Sequence, residues 1–171
     1  MTDKEYKELI ESEQVIGYIE IVKKYCDFIE NRKKYSSEEF LKNGLDLLVD
    51  LYQKTLHLKI NYPDKEDIDI QEIELKEIFK EISLIIGEQN LYRSVFDPYE
   101  PETEGLVIGT LSDDFTDIYR DLKEAYIKFN VENRNAKLNA LYDFVLNFRI
   151  HWGRHAVSAI NVLHDCVIPK I

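Results

Sequence analysis

Apolar residues recur at steps of three and four along most of the chain, which is the spacing of one face of an α-helix. The first such run predicts a helix from about Asp3 to Arg32. A second predicted helix begins at Ser36, because Ser36 and Glu39 have the spacing of a capping box, with Ser37 as a competing cap. This helix is expected to run to about Ile60, and the short link before it predicts an antiparallel helical hairpin.

Two breaks divide the middle of the chain. The polar stretch "NYPDKEDID" precedes a third predicted helix over about Gln71 to Ser94, because Pro63 keeps Tyr62 out of helical geometry. Residues 95–111 follow, with two of the four prolines and two of the six glycines, and this composition predicts an irregular segment. A segment of this length is either a tethered crossover or a functional, mobile loop.

The last two predicted helices carry most of the side chains that could do chemistry. Ser112 is predicted to cap a fourth helix, whose first turn is acidic and so suits the helix dipole. Asn133 or Asn135 opens a fifth helix, which continues to about His164. The whole pattern predicts an all-α fold, a single-domain bundle of about five helices over residues 1–171.

The composition of the chain indicates which kinds of binding partner and which cellular location to expect. The formal net charge is −11, from 33 acidic and 22 basic residues, and such a surface repels phosphate, so neither nucleic acid nor a membrane is an expected partner. No apolar run is long enough to span a bilayer, and the charged N-terminal segment lacks the form of a secretory signal, so we expect a cytoplasmic protein. Cys26 and Cys166 lie on apolar stripes and are expected to be free thiols.

The fifth predicted helix brings two histidines together in the stretch "FRIHWGRHAV". His151 and His155 are four residues apart, so they lie on one side of a helix, within or at the edge of its apolar stripe. His164 lies on the opposite face of the same helix. A common ligand for the first two imidazoles is therefore possible, whereas His164 cannot join them without a break in the helix.

Acidic residues on the fourth predicted helix complement these histidines. Asp114 and Asp121 are seven residues apart on one shoulder of the apolar stripe, and Asp117 lies between them, nearer to solvent. Antiparallel packing of the last two helices would turn this seam towards His151 and His155. A carboxylate beside an imidazole fixes its tautomer, holds its proton or shares a metal ion with it.

Three further residues are candidates for lining a pocket or for packing: Trp152, Gly153 and Tyr119. Gly153 costs about 1 kcal/mol relative to alanine in the middle of a helix. Something should offset that cost, and we expect the close approach of another backbone, with Trp152 packed beside it.

The histidine and aspartate pattern supports three interpretations. In the first, His151 and His155 are core residues that hydrogen-bond to aspartate or backbone. In the second, they bind a divalent metal such as zinc, manganese or iron with one or more of Asp114, Asp117 and Asp121. In the third, they line a small-molecule pocket as acid or base.

The H-x-x-x-H spacing lacks the glutamate of the metalloprotease motif, and no phosphate-binding glycine loop or G-x-S-x-G motif is present.

Two blocks resemble a bacterial family known as domain of unknown function 5063. The blocks are "LSDDFTDIYRDLKEAY" and "FRIHWGRHAVSAINVLH", and the segment "VFDPYEPE" is also similar. The matching residues are Asp113, Asp114, Asp117, Ile118, Tyr119, Asp121, Leu122 and Lys123, then His151, Trp152, Gly153, His155, Ala159, Leu163 and His164. The resemblance implies a small, all-helical, cytoplasmic bacterial protein without an assigned activity. It also groups His164 with the other two histidines, which the helical geometry separates.

Two functions remain open at this point. The acidic surface and the lack of a catalytic motif favour an interaction or accessory protein without catalysis, acting as a homodimer or with another protein. The alternative is a metal-binding protein or metal-dependent enzyme that uses His151 and His155 with the aspartates of the fourth helix.

Overall fold

The computed structural model describes residues 1–60, 68–94 and 107–168, and these ranges are predominantly helical. This confirms the predicted all-α bundle. No helix in these ranges combines the length and apolar character needed to cross a bilayer. The α-helical elements are α1 (Asp3–Ile10), α2 (Glu13–Glu30), α3 (Ser37–His57), α4 (Lys76–Ile86), α5 (Leu111–Phe129), α6 (Arg134–Asn147) and α7 (Gly153–Val167). They are accompanied by 3-10 turns at Arg32–Lys34 and Gly87–Asn90, a π-helical turn at Phe148–Trp152, and strands β1 (Leu91–Ser94) and β2 (Val107–Thr110).

The prediction of one unbroken first helix is wrong, because the chain breaks between α1 and α2. Ser12 is the N-cap of α2, and its Oγ accepts a hydrogen bond from the N–H of Val15. A serine that bonds to nearby backbone competes with helix continuation, while the apolar spacing runs on across the break. Periodicity alone therefore does not reveal this junction.

The predicted start of α3 and its pairing with α2 are confirmed. Ser36 is the N-cap, and Glu39 completes the capping box. The helix ends at His57, three residues before the predicted Ile60. Gln14, at the start of α2, donates a hydrogen bond to the carbonyl of His57 at the end of α3, so the two helices run antiparallel.

The third predicted helix is too long. It begins at Lys76 instead of Gln71 and ends at Ile86, because Gly87 takes a φ of 66° as its C-cap, a conformation that suits glycine and stops the helix. The residues from 91 to 94 form β1, which pairs antiparallel with β2, so the predicted irregular segment 95–111 ends in a strand. Residues 61–67, with the predicted break at Pro63, and residues 95–106 lie outside the described residues.

The start of α5 also differs from the prediction. Its N-cap is Thr110, which accepts a hydrogen bond from the N–H of Asp113 at 3.1 Å, and Ser112 lies inside the helix. Ser112 is buried, and its N–H donates to Oδ1 of Asn90 at 2.9 Å. Asn90 stands directly before β1, so this hydrogen bond joins the start of the strand to the first turn of α5.

The fifth predicted helix is continuous but not uniform. Asn133 caps α6, one of the two predicted alternatives, and α6 passes through the π-helical turn directly into α7. The helix ends at Val167, three residues beyond the predicted His164. Both parts of this long helix, α6 and α7, pack against α5.

A core of large side chains sets the position of α5. Tyr25 of α2 donates a hydrogen bond from its hydroxyl to the carbonyl of Phe115 at 3.0 Å. The Phe115 ring lies edge-on to Phe40 of α3, with centroids 5.1 Å apart. The largest fully buried side chains include Trp152, Tyr18, Tyr25, Phe40, Phe115 and Phe144. This packing leaves the acidic shoulder of α5 facing α7.

Gly153 is required by the π-helical turn. Its N–H donates to the carbonyl of Phe148, five residues earlier, and a Cβ at this position would overlap that carbonyl oxygen and crowd the Phe148 ring. The expected approach of a separate backbone is therefore wrong, since the close backbone belongs to the same helix. Trp152 does pack here, fully buried, with its ring centroid 4.8 Å from that of Phe148.

We predict that Gly153→Ala lowers the free energy of unfolding by about 1–2 kcal/mol, because overlap with the Phe148 carbonyl outweighs the better helix propensity of alanine. Urea denaturation measures this change. Gly17→Ala is the matched control, since Gly17 lies within α2 and nothing is within 4 Å of its added methyl group. We expect that variant to be stabilised by up to about 1 kcal/mol. Equal effects at the two glycines would contradict this account.

Candidate functional site

The antiparallel packing of α5 and α7 brings the predicted acidic seam to the histidines. His151 Nδ1 lies 2.7 Å from Oδ2 of Asp121, and His155 Nδ1 lies 2.8 Å from Oδ1 of Asp114. The earlier aspartate pairs with the later histidine and the later aspartate with the earlier histidine, so the two helices run in opposite directions here. This is the juxtaposition that the sequence pattern predicts.

The carboxylates at the two ends of the acidic seam, Asp114 and Asp121 (the outer carboxylates), hold the imidazole rings in a defined orientation. Asp114 is 3% exposed and Asp121 is 7% exposed, so both are taken from water and need hydrogen-bond donors. Each accepts from the Nδ1 of one histidine, an arrangement that places a proton on Nδ1 and leaves Nε2 as the nitrogen that can bind a metal. Both rings are thereby oriented by groups on their outer side.

Asp117 lies close to both histidines. Its Oδ2 lies 3.6 Å from Nε2 of His155, and the centroids of the His151 and His155 rings are 4.9 Å apart. One potential ligand atom from each of these three residues lies within 4.8 Å of the others. Among the residues that the structure describes, this is the one group of three or more histidine, cysteine or acidic side chains with such spacing.

Arg120 contacts this cluster, and sequence reasoning missed it. Its Nη1 lies 3.0 Å from Oδ1 of Asp117, its Nε lies 3.3 Å from Oδ1 of Asp121, and its Nη2 lies 3.5 Å from Nε2 of His151. The guanidinium therefore partly balances the carboxylate charge. The signal in the sequence was the spacing of three residues from Asp117, which puts Arg120 on the same side of α5.

Tyr92 is a second residue that the sequence did not reveal. Its hydroxyl donates to Oδ2 of Asp114 at 2.7 Å, although it stands on β1. Tyr92 pairs with Gly109 of β2, and a Cβ at Gly109 would lie 2.5 Å from Cζ of the tyrosine ring. Glycine at this position lets the ring cross β2 and reach α5. Burial raises the pKa of Tyr92, so its hydroxyl remains a donor to Asp114.

Proton affinities in the site reflect these contacts. The hydrogen bond to Asp114 raises the pKa of His155 above its ordinary value, with the nearby acidic charges adding to the effect. Burial raises the pKa of Asp114 in spite of the hydrogen bonds it accepts from His155 and Tyr92. The pair therefore retains protons to higher pH in the folded protein than its two members do in the unfolded chain.

The remaining candidate residues lie outside the cluster. Tyr119 donates from its hydroxyl to Glu30 of α2 at 3.0 Å, and Lys123 binds the same carboxylate, so Tyr119 links α5 to α2 instead of lining the site. Trp152 is fully buried and packs in the core. His164 is exposed on α7, as its place on the helical wheel predicts, and it does not join the other two histidines.

Fold and site together define an α-helical bundle protein with a histidine–aspartate cluster between two antiparallel helices. The chain belongs to the family described as "Domain of unknown function (DUF5063)", which matches residues 10–168, and this confirms the resemblance seen in the sequence. A crystal structure of protein BF1032 from Bacteroides fragilis is similar over 95% of this chain and 98% of that chain, with 23% identity and a TM-score of 0.78. At this identity the likeness shows a shared fold. A comparison with curated proteins finds no match.

We predict that the metal-free protein loses stability as pH rises through the raised pKa of His155. The folded state binds the proton more tightly than the unfolded state, so the contribution is fully present below about pH 6.5, the ordinary pKa of histidine, and is lost above the folded pKa. Burial also raises the pKa of Asp114, so its contribution to stability is likewise lost as pH rises, in a more acidic range. Urea denaturation in chelator from pH 5.5 to 8.5 should show a slope no steeper than about 1.4 kcal/mol per pH unit.

His155→Gln should flatten this slope, since glutamine does not titrate. His164→Gln serves as the control, because His164 is exposed on the same helix, and it should keep the slope of the unmodified protein. A slope that persists unchanged in His155→Gln would show that another group causes the pH dependence.

Proposed function

We propose that the protein binds a divalent metal ion through Asp117, His151 and His155. The observation that carries this proposal is the grouping of one oxygen and two imidazole nitrogens within 4.8 Å of one another, at the partly exposed edge of the contact between α5 and the helix that holds the histidines. Two histidines and one carboxylate are a recurrent ligand set for zinc and for non-haem iron, in sites that keep coordination positions open.

The outer carboxylates support this assignment. Histidines that bind metals commonly donate their other ring N–H to a carboxylate or carbonyl, which fixes the tautomer and makes the free nitrogen a better ligand. Asp121 does this for His151 and Asp114 does it for His155. Tyr92 in turn hydrogen-bonds to Asp114, so this outer contact is itself held in place.

The donor set suits zinc, manganese or iron, because imidazole and carboxylate bind all three. Three protein ligands leave room for water or a substrate, and a metal held in this way acts as a Lewis acid or activates bound water. Metal-dependent catalysis is the extension of the proposal. The residues of this chain would bind the ion, orient the two imidazoles and keep the ion at the protein surface where a small molecule reaches it.

Elemental analysis of untagged protein purified without chelator tests the proposal. We expect a near-stoichiometric divalent metal that is lost in the double variant His151→Ala, His155→Ala. In thermal unfolding, adding the metal to chelator-treated protein should raise the melting temperature. The gain in stability is about 2.7 kcal/mol when free metal reaches 100 times its dissociation constant.

Two matched controls separate ligands from bystanders. His164→Ala removes an exposed imidazole from α7, and Asp113→Asn removes an exposed carboxylate from α5; both should leave metal binding intact. Asp117→Asn, in contrast, should weaken it at least tenfold, since the amide is a poorer ligand for a dication. A melting temperature that does not respond to zinc, manganese or iron(II), together with no retained metal, would overturn the proposal.

A second candidate is an acidic, cytoplasmic accessory protein that works by association with a second copy or with another protein. The observation that favours it is the outer face of the two-stranded sheet formed by β1 and β2 (the hairpin), where Leu91 is 68% exposed and Ile108 is 71% exposed. Their partners in the register are Thr110 and Arg93, so both apolar side chains lie on the same face. Exposed apolar side chains on a two-stranded sheet are typical of an association surface.

Size-exclusion chromatography with light scattering tests association at micromolar concentrations. We expect a dimer that the double variant Leu91→Ser, Ile108→Ser converts to a monomer, because both side chains are exposed and their loss leaves the core unchanged. Ile150→Ser, Val157→Ser removes exposed apolar side chains elsewhere and should leave the dimer intact. A monomeric unmodified protein would argue against self-association, and an equal effect of both double variants would exclude the hairpin as its surface.

A further inference from the structure

Arg120 touches two of the three proposed metal ligands. Its Nη1 lies 3.0 Å from Asp117 and its Nη2 lies 3.5 Å from Nε2 of His151. A dication bound to those ligands takes up the carboxylate charge and the nitrogen lone pair, and it repels the guanidinium. The oxygen of Asp117 nearest to Nε2 of His155 is Oδ2, whereas Nη1 contacts Oδ1. A metal ion on Oδ2 and the two imidazoles therefore releases Nη2 from His151 and weakens the attraction of Asp117 for Nη1.

Arg120 stays at the site when Nη2 is released. Its third contact runs from Nε to Oδ1 of Asp121 at 3.3 Å, and Asp121 is held through its other oxygen by His151. Asp121 is not among the three proposed ligands, so this contact is compatible with a bound metal. The arginine side chain is 35% exposed, which leaves it room to turn about this anchor. The result is a guanidinium whose Nη2 end is available beside the ion.

A metal with open positions and a neighbouring guanidinium fork together select an anion with at least two oxygens. One oxygen occupies a coordination position, and another accepts from Nη1 or Nη2 in the planar geometry that arginine offers to carboxylate and phosphate. The protein as a whole has a net charge of −11, the cluster itself contains Asp117, and Asp114 and Asp121 flank it, so an anion is not attracted without the ion.

We propose that the metal-loaded site binds a small oxyanion, a carboxylate or a phosphate, which bridges the ion and Arg120. This inference rests on the proposed metal function and names the class of ligand for the same site. It requires that anion binding depends on the metal. It also requires that loss of Arg120 has opposite consequences for the two ligands. The positive charge of Arg120 and its contact with Nε2 of His151 oppose the metal, whereas Arg120 cooperates with the metal in holding the anion.

Cobalt(II) is a suitable probe, because its visible absorption spectrum reports both occupancy and a change of coordination. Chelator-treated protein is first titrated with Co²⁺, and the loaded protein is then titrated with acetate and, separately, with methylphosphonate. We expect at least one of the two anions to change the spectrum of the loaded protein. Acetate alone points to a carboxylate ligand, methylphosphonate alone points to a phosphate, and either result supports the proposal.

Arg120→Gln should bind Co²⁺ as tightly as the unmodified protein or more tightly, and should bind the anion at least tenfold more weakly. Arg149→Gln is the matched control, because it removes one positive charge from the exposed surface of the π-helical turn, and it should behave as the unmodified protein does in both titrations. A misfolded variant would lose both ligands, so the opposite direction of the two changes separates a role in binding from structural damage.

The outcomes distinguish the two levels of the proposal. Failure of Co²⁺ to bind overturns the metal function and the oxyanion inference with it. Binding of Co²⁺ with no response to either anion overturns the oxyanion inference alone. The same holds if Arg120→Gln and the unmodified protein bind the anion equally, or if the anion binds equally well without metal.

Discussion

Two carboxylates buried between antiparallel helices require hydrogen-bond donors, and the two histidines supply them. The arrangement of the site follows from this pairing. Asp114 and Asp121 are seven residues apart on α5, which is about 10 Å along a helix, whereas His151 and His155 are four residues apart, about 6 Å. The carboxylates therefore bracket the histidine pair and bond to its outer nitrogens. Nε2 of His155 is left 3.6 Å from Oδ2 of Asp117, which lies between the two carboxylates on α5, and Nε2 of His151 is left 3.5 Å from Arg120.

The helix that carries the histidines is adapted to this contact by its π-helical turn. The turn spans Phe148–Trp152 and so includes His151, while His155 lies in the regular helix that follows. Such wide turns are frequent at functional sites because they alter the directions of side chains relative to a regular helix. Gly153 allows the turn, Trp152 fills the core beside it, and the two imidazoles lie with their centroids 4.9 Å apart.

The hairpin has a structural role in the site as well as an exposed face. Tyr92 on β1 reaches Asp114 across Gly109 of β2, and Asn90 just before β1 binds the backbone of Ser112 at the start of α5. The hairpin is therefore tied to the first turns of α5 at two points. A histidine on α7, a carboxylate on α5 and a hydroxyl on β1 form one hydrogen-bonded chain that links three separate parts of the sequence.

The spacing of residues along the sequence by itself determined the helices, several of their caps and the faces that they bury. The capping box at Ser36, the cap at Asn133 and the amphipathic stripes depend on residues within a few positions of one another, and so does the shared face of Asp114, Asp117 and Asp121. The tertiary structure decided features that depend on distant partners. The hairpin exists because residues 91–94 pair with residues 107–110, and the roles of Tyr92 and Arg120 depend on which groups on neighbouring elements they meet. Periodicity records which face of a helix is apolar, but strand pairing and polar contacts between elements arise only when the chain is packed.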